Sequence, residues 1–228
     1  MVLSSKDDEV LRTYRRLRNV LTDMNKGFVR RLPKNSLMEC AKKLGLAKGK
    51  VMVFNNPDET SVLFDYCLHN SRTRGKTLME SYAEETPPPP GSDEMTLLRA
   101  LIDSFFSVFQ VRQVDKGRGA LLHDIFKEDE VFLMDIGLGD TGVEKMVVAG
   151  RLLPLADFHM STGALVPFWH EPVLEAVGPI MDKWLLHHPD MGRTKLSPAL
   201  EANFSAQLIR AALRAGAIRA ISYLDVKE

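Results

Sequence analysis

Histidine and carboxylate side chains are frequent in residues 123–171, and they are the groups that general acid–base catalysis and metal binding use. The set is His123, Asp124, Asp135, Asp140, Asp157, His159, His170 and Glu171. None has the helical i, i+4 spacing of a metal-binding pair, and no second histidine completes an H-E-x-x-H motif. We therefore predict no catalytic and no metal-binding residue. An enzyme with a His/Asp pocket in this β segment is kept as the second alternative.

A glycine-rich stretch at residues 137–142 (GLGDTG) matches the G-x-G-x-x-G pattern of dinucleotide-binding sites. Such a site needs a helix directly after the glycines, so that the helix N-terminus can bind the pyrophosphate. Residues 143–153 are instead apolar and rich in β-branched side chains, and Pro154 follows them. We predict a wide loop between strands, loop or strand over 143–148, and no cofactor-binding residue.

Residues 41–51 (AKKLGLAKGKV) resemble the centre of a DNA-binding helix-turn-helix, because a turn glycine stands between two apolar residues. The second helix of that motif would contain Gly49 and the β-favouring run at 51–54, and Pro57 follows closely. Glycine in a helix interior costs about 1 kcal/mol, and β-branched residues add to that cost. We therefore favour a helix, a turn and a strand over a DNA-reading motif.

Charge is unevenly distributed along a chain whose formal net charge is zero. Residues 1–86 contain 16 Lys and Arg against 11 Asp and Glu, whereas residues 87–172 contain 7 against 13. The candidate nucleic-acid contacts are Arg12, Arg15, Arg16, Arg30, Arg31, Lys42, Lys43, Lys48 and Lys50. These cations either bind phosphates, form a solvated face, or attract the acidic middle of the same chain.

The first region is patterned as helix. Residues 6–31 carry an apolar stripe with alternating spacings of four and three, which indicates one long amphipathic helix. The stripe is Val10, Tyr14, Leu17, Leu21, Met24 and Phe28. Three shorter helices are predicted at 36–44, 59–70 and 77–85. Ser36 is expected to cap the first of these, and residues 56–58 (NPD) are expected to form a turn.

Four consecutive prolines at residues 87–90 interrupt this pattern. Proline fixes φ and lacks an N–H group, so the run can be neither helix interior nor central strand. It favours an extended chain of about 3.1 Å per residue. We predict a Pro-rich spacer over 87–94, between the helical region and the remainder of the chain.

Beyond the prolines, Ser92 is expected to cap a helix, after which the apolar period changes to two. Strands are predicted at 105–114, 120–125, 130–136, 146–153 and 158–168. A helix from Pro172 with a kink at Pro179, a helix from Ser197 and a terminal strand over 217–226 follow. Five closely spaced strands are typical of a small barrel or a strongly bent sheet.

The predicted fold class is therefore α+β. It has a helical N-terminal region, a central five-stranded small β barrel or bent antiparallel sheet, and C-terminal helices. The predicted boundaries are 1–86 for the helical region, 87–94 for the spacer, 95–170 for the small β domain, and 171–228 for the helices packing on it.

Composition agrees with a soluble globular protein, because 45% of the residues are hydrophobic and 26% are charged. Cys40 and Cys67 are the only cysteines, so they cannot form a zinc site alone, and they indicate a reducing compartment. The N-terminus is too charged for a signal peptide, and no apolar run approaches the roughly 18 residues of a membrane-spanning helix. We predict a cytoplasmic protein without a membrane partner; no particular oligomeric state is indicated.

Several short segments carry a resemblance to a known group of proteins. They are 44–46 (LGL), 62–66 (VLFDY), 87–94 (PPPPGSDE), 124–126 (DIF), 149–154 (AGRLLP) and 162–164 (TGA). Over roughly residues 44–168 the chain resembles uncharacterised bacterial proteins that combine a helical head with a small β domain. In some of them a related β domain accompanies a Cys-rich SEC-C zinc motif. This chain has no cysteine after Cys67, so the resemblance implies no zinc, and it implies no activity.

The sequence thus predicts a cytosolic, non-enzymatic binding or adaptor protein whose expected partner is another protein. The first alternative is a regulatory protein that binds nucleic acid through the basic N-terminal helices. In that alternative, affinity would fall steeply with salt, by roughly 0.9 in the log–log slope for each phosphate neutralised on duplex DNA. We expect no measurable binding at physiological salt, because the net charge is zero and the acidic β segment competes for the same arginines.

Overall fold

The computed structural model of the protein describes residues 5–218. The helices are α1 (Ser5–Arg31), α2 (Lys34–Leu44), α3 (Pro57–Asn70), α4 (Leu78–Glu85), α5 (Asp93–Asp103), α6 (Ile136–Thr141), α7 (Glu171–His187) and α8 (Pro198–Arg214). The strands are β1 (Ala47–Lys48), β2 (Val51–Met52), β3 (Phe105–Asp115), β4 (Gly119–Asp124), β5 (Glu130–Met134), β6 (Val147–Pro154), β7 (His159–Ser161) and β8 (Val166–Pro167). Helices precede and follow the long strands, so the α+β prediction is confirmed.

Local side chains explain where several helices begin. Thr77 and Glu80 form a capping box at α4, in which the Glu80 N–H donates to Thr77 Oγ1 at 3.2 Å and the Thr77 N–H donates to Glu80 Oε2 at 2.7 Å. Ser92 Oγ accepts from the Met95 N–H at 3.1 Å and starts α5. These bonds satisfy N–H groups that have no partner inside a helix.

The apolar stripe of α1 faces the core, as its spacing predicts. Tyr14, Leu17, Leu21 and Phe28 are buried, while Val10 and Met24 pack against the same cluster and are partly buried. The residues that the helical spacing places on one face of α1 are thus the residues that the core buries.

Strands β3 to β7 close a five-stranded barrel. Their order is β3-β4-β5-β7-β6, and β6 pairs back onto β3 between Phe105↔Leu152 and Gln110↔Val147. All neighbours are antiparallel except β5 and β7, which are parallel, and β8 adds to β6 outside the ring. Of the two predicted forms, the small β barrel is correct and the bent antiparallel sheet is not; the barrel is closed and its strands are mixed in direction.

A cluster of apolar side chains is buried along the barrel strands. It consists of Phe109, Val111, Ala120, Leu122, Leu133, Leu138, Val148 and Leu152. Val108 is buried in the larger core cluster, as strand alternation requires. Phe105 and Phe106 are only partly buried.

The larger core cluster joins the regions that the sequence separates. It contains Leu21 of α1, Val108 of β3 and Phe204 of α8 in one set of packed side chains. Arg18 of α1 also donates from Nη1 to the carbonyl oxygen of Ser161 in β7 at 2.8 Å. The helical head, the barrel and the C-terminal helices therefore share one core.

The proline run forms the connection between α4 and α5. These two helices pack against each other, and Pro88 is buried while Pro87, Pro89 and Pro90 are exposed. The prolines therefore make a rigid turn between neighbouring helices.

The predicted wide loop at 137–142 is wrong, because α6 occupies it. Asp135 Oδ1 accepts from the Leu138 N–H at 3.1 Å and so provides the cap that starts this short helix. A Cβ atom on Gly139 would lie 2.7 Å from the Gly119 nitrogen and 2.8 Å from the Asp115 carbonyl oxygen. The glycine thus permits close contact between α6 and the β3–β4 turn. Residues 143–148 are loop and strand, as predicted.

Two predicted helix starts are also wrong. Helix α2 begins at Lys34, and its N-cap residue is the extended Pro33, whose carbonyl oxygen accepts from the Leu37 N–H at 3.1 Å, so Ser36 is not its cap. Helix α3 begins at Pro57, because Asn56 Oδ1 accepts from the Asp58 and Glu59 N–H groups at 2.9 and 3.1 Å. The predicted turn at 56–58 is therefore a helix N-terminus.

Two further predictions concern strands. A helix, a turn and a short strand pair do follow one another over α2, β1 and β2, so the DNA-reading motif lacks its second helix. The predicted single strand at 158–168 is two strands, with Gly163 at φ +104° between them. The predicted terminal strand at 217–226 lies almost wholly outside the described residues.

We expect Gly139→Ala to lower the free energy of unfolding by about 1–3 kcal/mol, because the new methyl group would overlap backbone atoms of the β3–β4 turn. Gly27→Ala in α1 is the matched control, since nothing lies within 4 Å of its Cβ position. That control should raise the free energy by about 0.5–1 kcal/mol. Urea unfolding followed by circular dichroism compares the two variants; equal effects would contradict the packing explanation.

Candidate functional site

An apolar hairpin follows α2. Strands β1 and β2 pair as Ala47↔Met52 and Lys48↔Val51, and the Val53 N–H donates to the Leu46 carbonyl oxygen at 3.0 Å. Among the described residues these two strands pair with no other strand. Ala47 of β1 packs against the main core, so the outer backbone edges and the remaining surface of the hairpin are available.

The side chains on this hairpin are unusually exposed for their type. Val51 is 64% exposed, Met52 37%, Val53 40% and Phe54 36%. Lys48 and Lys50 are exposed beside them. We call residues 48–54 the hairpin surface: an apolar strip of four exposed residues that are consecutive in the chain, with lysines at the hairpin tip. Contiguous exposed apolar residues mark interaction sites more often than scattered ones do.

The end of the hairpin is held rigidly. Glu59 of α3 is buried, its Oε2 accepts from the Asn55 N–H at 2.6 Å, and its Oε1 accepts from Asn55 Nδ2 at 2.9 Å. Leu46 at the start of the hairpin is buried in the main core. The apolar strip is therefore fixed at both ends and does not need to be ordered by a partner.

All nine predicted basic residues are exposed, but they do not form one set. Arg16 Nε lies 2.8 Å from Asp93 Oδ2, Lys42 Nζ lies 2.7 Å from Glu39 Oε1, and the Arg31 guanidinium lies over the Tyr82 ring at 5.2 Å. Arg12 and Arg30 are about 27 Å apart along α1, at about 1.5 Å of rise per residue.

The remaining cations have no carboxylate partner within 4.0 Å among the described residues. They are Arg12, Arg15, Arg30, Lys43, Lys48 and Lys50. The hairpin brings two of them together, at its tip.

A second polar feature is buried where α3, α5, β6 and α8 meet, and we call it the Arg151 network. The Arg151 guanidinium, only 5% exposed, forms an ion pair with Glu201 through Nη2. Its Nη1 donates to the Ser104 carbonyl oxygen at 3.2 Å and to Ser104 Oγ at 3.3 Å. One arginine on a barrel strand therefore contacts both α8 and the C-terminus of α5.

Asp65, His69 and Ser104 continue this network in an order that resembles a nucleophilic triad. Asp65 Oδ1 lies 3.8 Å from His69 Nε2, and His69 Nδ1 lies 3.4 Å from Ser104 Oγ. Ser104 Oγ, however, donates its proton to the Leu101 carbonyl oxygen at 2.6 Å. A catalytic serine must give that proton to the histidine. We therefore assign the three residues a structural role.

Burial sets the charge state of two members of the network. Burial lowers the pKa of His69 well below its ordinary value, and the positive charge of Arg151 lowers it further. Burial raises the pKa of Asp65 to about 6. A hydrogen bond with the Thr162 hydroxyl and the positive charge of Arg151 both lower this pKa and so limit the rise. At neutral pH His69 is therefore neutral, and Asp65 is an ionised group that its surroundings disfavour.

The His and Asp residues predicted for a barrel pocket have separate partners. Asp124 is buried, and its Oδ1 accepts from Ser107 Oγ at 2.7 Å. Asp135 Oδ2 accepts from Ser161 Oγ at 2.6 Å. Asp140, Asp157, His170 and Glu171 are exposed. Within residues 5–218 there is no group of three or more His, Cys, Asp or Glu that could hold a metal ion.

Pattern analysis missed the Arg151 network, although two signals were present. Asp65 and His69 have the i, i+4 spacing that places them on one helix face. Arg151 is a single charge in an otherwise apolar strand, which requires a buried partner. Neither signal identifies Ser104 or Glu201, which are distant in the chain.

A comparison with protein families identifies the chain's relatives. A model described as "Family of unknown function (DUF7986)" matches residues 8–183, which extend from α1 through the barrel into α7. The chain belongs to this family. An uncharacterised family was predicted and is confirmed; the likeness to the β domain of SEC-C proteins and the bacterial origin stay predictions. No curated protein and no solved structure matches the chain. Over the described residues, every helix is too short or too polar to cross a membrane.

We expect Arg151→Met to lower the free energy of unfolding by about 3–5 kcal/mol, because it leaves the Glu201 carboxylate buried without its partner. Adding Glu201→Leu should restore most of this loss, since neither charge of the Arg151–Glu201 pair then remains. Lys42→Met is the control: it breaks an exposed pair and should change the free energy by less than about 1 kcal/mol. Urea titration measures all three; a small effect of Arg151→Met would contradict the role given to the network.

We expect Asp65→Asn to raise the free energy of unfolding at about pH 7.5 by on the order of 1–3 kcal/mol, because it removes a disfavoured buried charge. The folded pKa of about 6 exceeds the ordinary value of 3.8, so the folded state binds more protons between these values. The stability contributed by Asp65 is therefore complete below pH 3.8 and is lost as pH rises to about 6. The increase in the free energy of unfolding caused by Asp65→Asn should therefore grow as pH rises from 3.8 to about 6.

The control for this experiment is Asp140→Asn, an exposed carboxylate on α6. His69 titrates in the opposite sense, since its lowered pKa makes the fold less stable as pH falls below about 6.5. The contribution of His69 is present in the native protein and in Asp65→Asn, as is the charge of Arg151. It therefore largely cancels in the difference between their free energies of unfolding. A gain that is constant between about pH 4 and pH 7 would contradict the assignment of the raised pKa to Asp65.

Proposed function

We propose that the protein is a non-enzymatic binding or adaptor protein that binds a protein partner through the hairpin surface. The observation that carries the proposal is the run Val51–Phe54, in which four consecutive apolar side chains are 36–64% exposed. Each square ångström of apolar area that a partner covers contributes roughly 25 cal/mol. The strip is therefore a source of affinity that the isolated chain does not use.

Rigidity of the strip supports the same function. The hydrogen bonds from Asn55 to the buried Glu59 hold the end of the hairpin before any partner arrives. A pre-organised surface loses less conformational entropy on binding, so more of the contact energy appears as affinity.

The charges around the strip define the partner's chemistry. Lys48 and Lys50 have no carboxylate within 4.0 Å among the described residues, and Lys43 on α2 is in the same state. A partner segment with apolar side chains flanked by Asp or Glu would satisfy both the strip and its lysines. We propose such an acidic, apolar segment of another protein as the ligand.

A cytoplasmic location belongs to the same proposal. Cys40 and Cys67 are both buried and unpaired, which supports a reducing environment. The likeness of the barrel to the β domain of SEC-C proteins is a further part of it, and the small closed barrel supports that likeness.

A display library of short random peptides tests the proposal directly. Selection on the native protein, with counter-selection on the Val51→Asp/Phe54→Asp variant, should enrich apolar peptides that contain Asp or Glu. The double substitution should weaken binding of an enriched peptide by about tenfold or more, because it removes apolar contact and adds like charge. Val143→Asp is the matched control, since Val143 is equally apolar, 55% exposed and outside the hairpin.

Three outcomes would contradict the proposal. The first is that no peptide distinguishes the native protein from the double variant. The second is a change of oligomeric state on substitution, in sedimentation velocity, which would make a second copy the occupant. The third is micromolar binding of duplex DNA or RNA that weakens about tenfold between roughly 50 and 150 mM salt and is lost in an Arg12→Ala/Arg15→Ala/Arg30→Ala variant.

A further inference from the structure

A cavity of about 290 Å³ lies between α1, α3 and the connection from β7 to β8. Each of these elements contributes to its lining: Asn25 comes from α1, Asp65 from α3 and Thr162 from the connection. This cavity is separate from the hairpin surface. Its polar lining contains groups whose hydrogen-bonding capacity the protein leaves unused.

Asn25 Oδ1 is a buried oxygen of this lining without a hydrogen-bond partner among the described residues, and the buried Thr162 Oγ1 has no such partner other than the Asp65 carboxylate beside it. Thr162 is only 8% exposed as a whole residue. Leaving a buried polar atom unsatisfied costs about 1–3 kcal/mol, so such atoms are rare in folded proteins. Asn25 Oδ1 therefore lacks a donor, and the lone pairs of Thr162 Oγ1 remain free to accept a hydrogen bond when its proton is directed to Asp65.

Asp65 adds a negative charge to the same lining. Its side chain is 16% exposed, and His69 Nε2, 3.8 Å away, is neutral at physiological pH. Arg151 acts on Asp65 electrostatically, but its guanidinium is ion-paired with Glu201. Lys26 also lines the cavity, but its ammonium group is paired with Asp23 at 3.0 Å. The carboxylate of Asp65 is thus available to a ligand.

The chemistry of these groups specifies the ligand. A carboxylate and an amide oxygen accept hydrogen bonds, and a threonine hydroxyl can accept as well. Val29, Phe64 and Leu68 add apolar side chains to the same lining. Acceptors beside apolar side chains match a cation that carries an apolar body, which is an organic cation.

We propose that this cavity binds a small primary amine, with its ammonium group on Asp65, Asn25 Oδ1 and Thr162 Oγ1 and its apolar body against Phe64 and Leu68. A protonated primary amine has three N–H donors, and the cavity provides three acceptors on three separate elements. The proposal goes beyond the binding of a protein partner and does not depend on it.

Isothermal titration with benzylamine tests the inference, with benzyl alcohol as the neutral probe of the same shape. Benzylamine should bind at least about tenfold more tightly than benzyl alcohol at neutral pH, because only the amine neutralises Asp65. Asp65→Asn should remove most of that preference, because the amide carries no charge, and it should weaken binding of the alcohol by a much smaller factor than binding of the amine. Thr162→Val, which keeps the shape of the side chain, should weaken amine binding by a smaller factor.

Asp140→Asn is the matched control and should bind both probes as the native protein does. The Val51→Asp/Phe54→Asp variant should also bind benzylamine normally, so that failure of one site is distinguishable from failure of the other. Equal affinity for the two probes, or unchanged amine affinity in Asp65→Asn, would overturn the proposal. Absence of any heat at millimolar benzylamine would overturn it as well.

Discussion

The buried ion pair between Arg151 and Glu201 is the constraint on which the arrangement of the other elements depends. A guanidinium inside a protein must be matched by charge and hydrogen bonds, because its transfer from water costs several kcal/mol. Glu201 of α8 and the C-terminal Ser104 of α5 supply that match. The positions of α8 and α5 on the barrel are therefore fixed relative to β6. Apolar packing alone tolerates small shifts, whereas a buried charge does not.

The positive charge of Arg151 also affects two ionisable residues of α3 in the helical head. Arg151 disfavours the protonated form of His69 and favours the ionised form of Asp65. His69 can consequently sit between them as a neutral group, with Ser104 Oγ at 3.4 Å on its other side. Asp65 remains a disfavoured carboxylate despite this help. The amine proposed for the adjoining cavity would offset this cost, because its ammonium group would lie against the carboxylate.

Sequence patterns could predict the features that depend on neighbouring residues. Alternation located the barrel strands, and the stripe of α1 predicted the buried face that contains Leu17 and Leu21. Asn56 was misinterpreted because an Asn-Pro pair suits both a turn and a helix start, and only the hydrogen bonds to Asp58 and Glu59 separate them. The Arg151 network and the amine cavity could not be predicted, since their members are brought together by tertiary packing across distant parts of the chain.

Helix α3 contributes residues to both proposed binding sites. Its first turn carries Glu59, whose buried carboxylate holds Asn55 at the end of the hairpin surface. Its later turns carry Asp65, which faces the cavity, and His69, which meets Ser104. Three buried or half-buried ionisable residues on one helix reduce its intrinsic stability, so its neighbours must supply the difference. The packing of α2, α4 and α8 against α3 does so, and it keeps an apolar, basic surface and an acceptor-lined cavity on one rigid element.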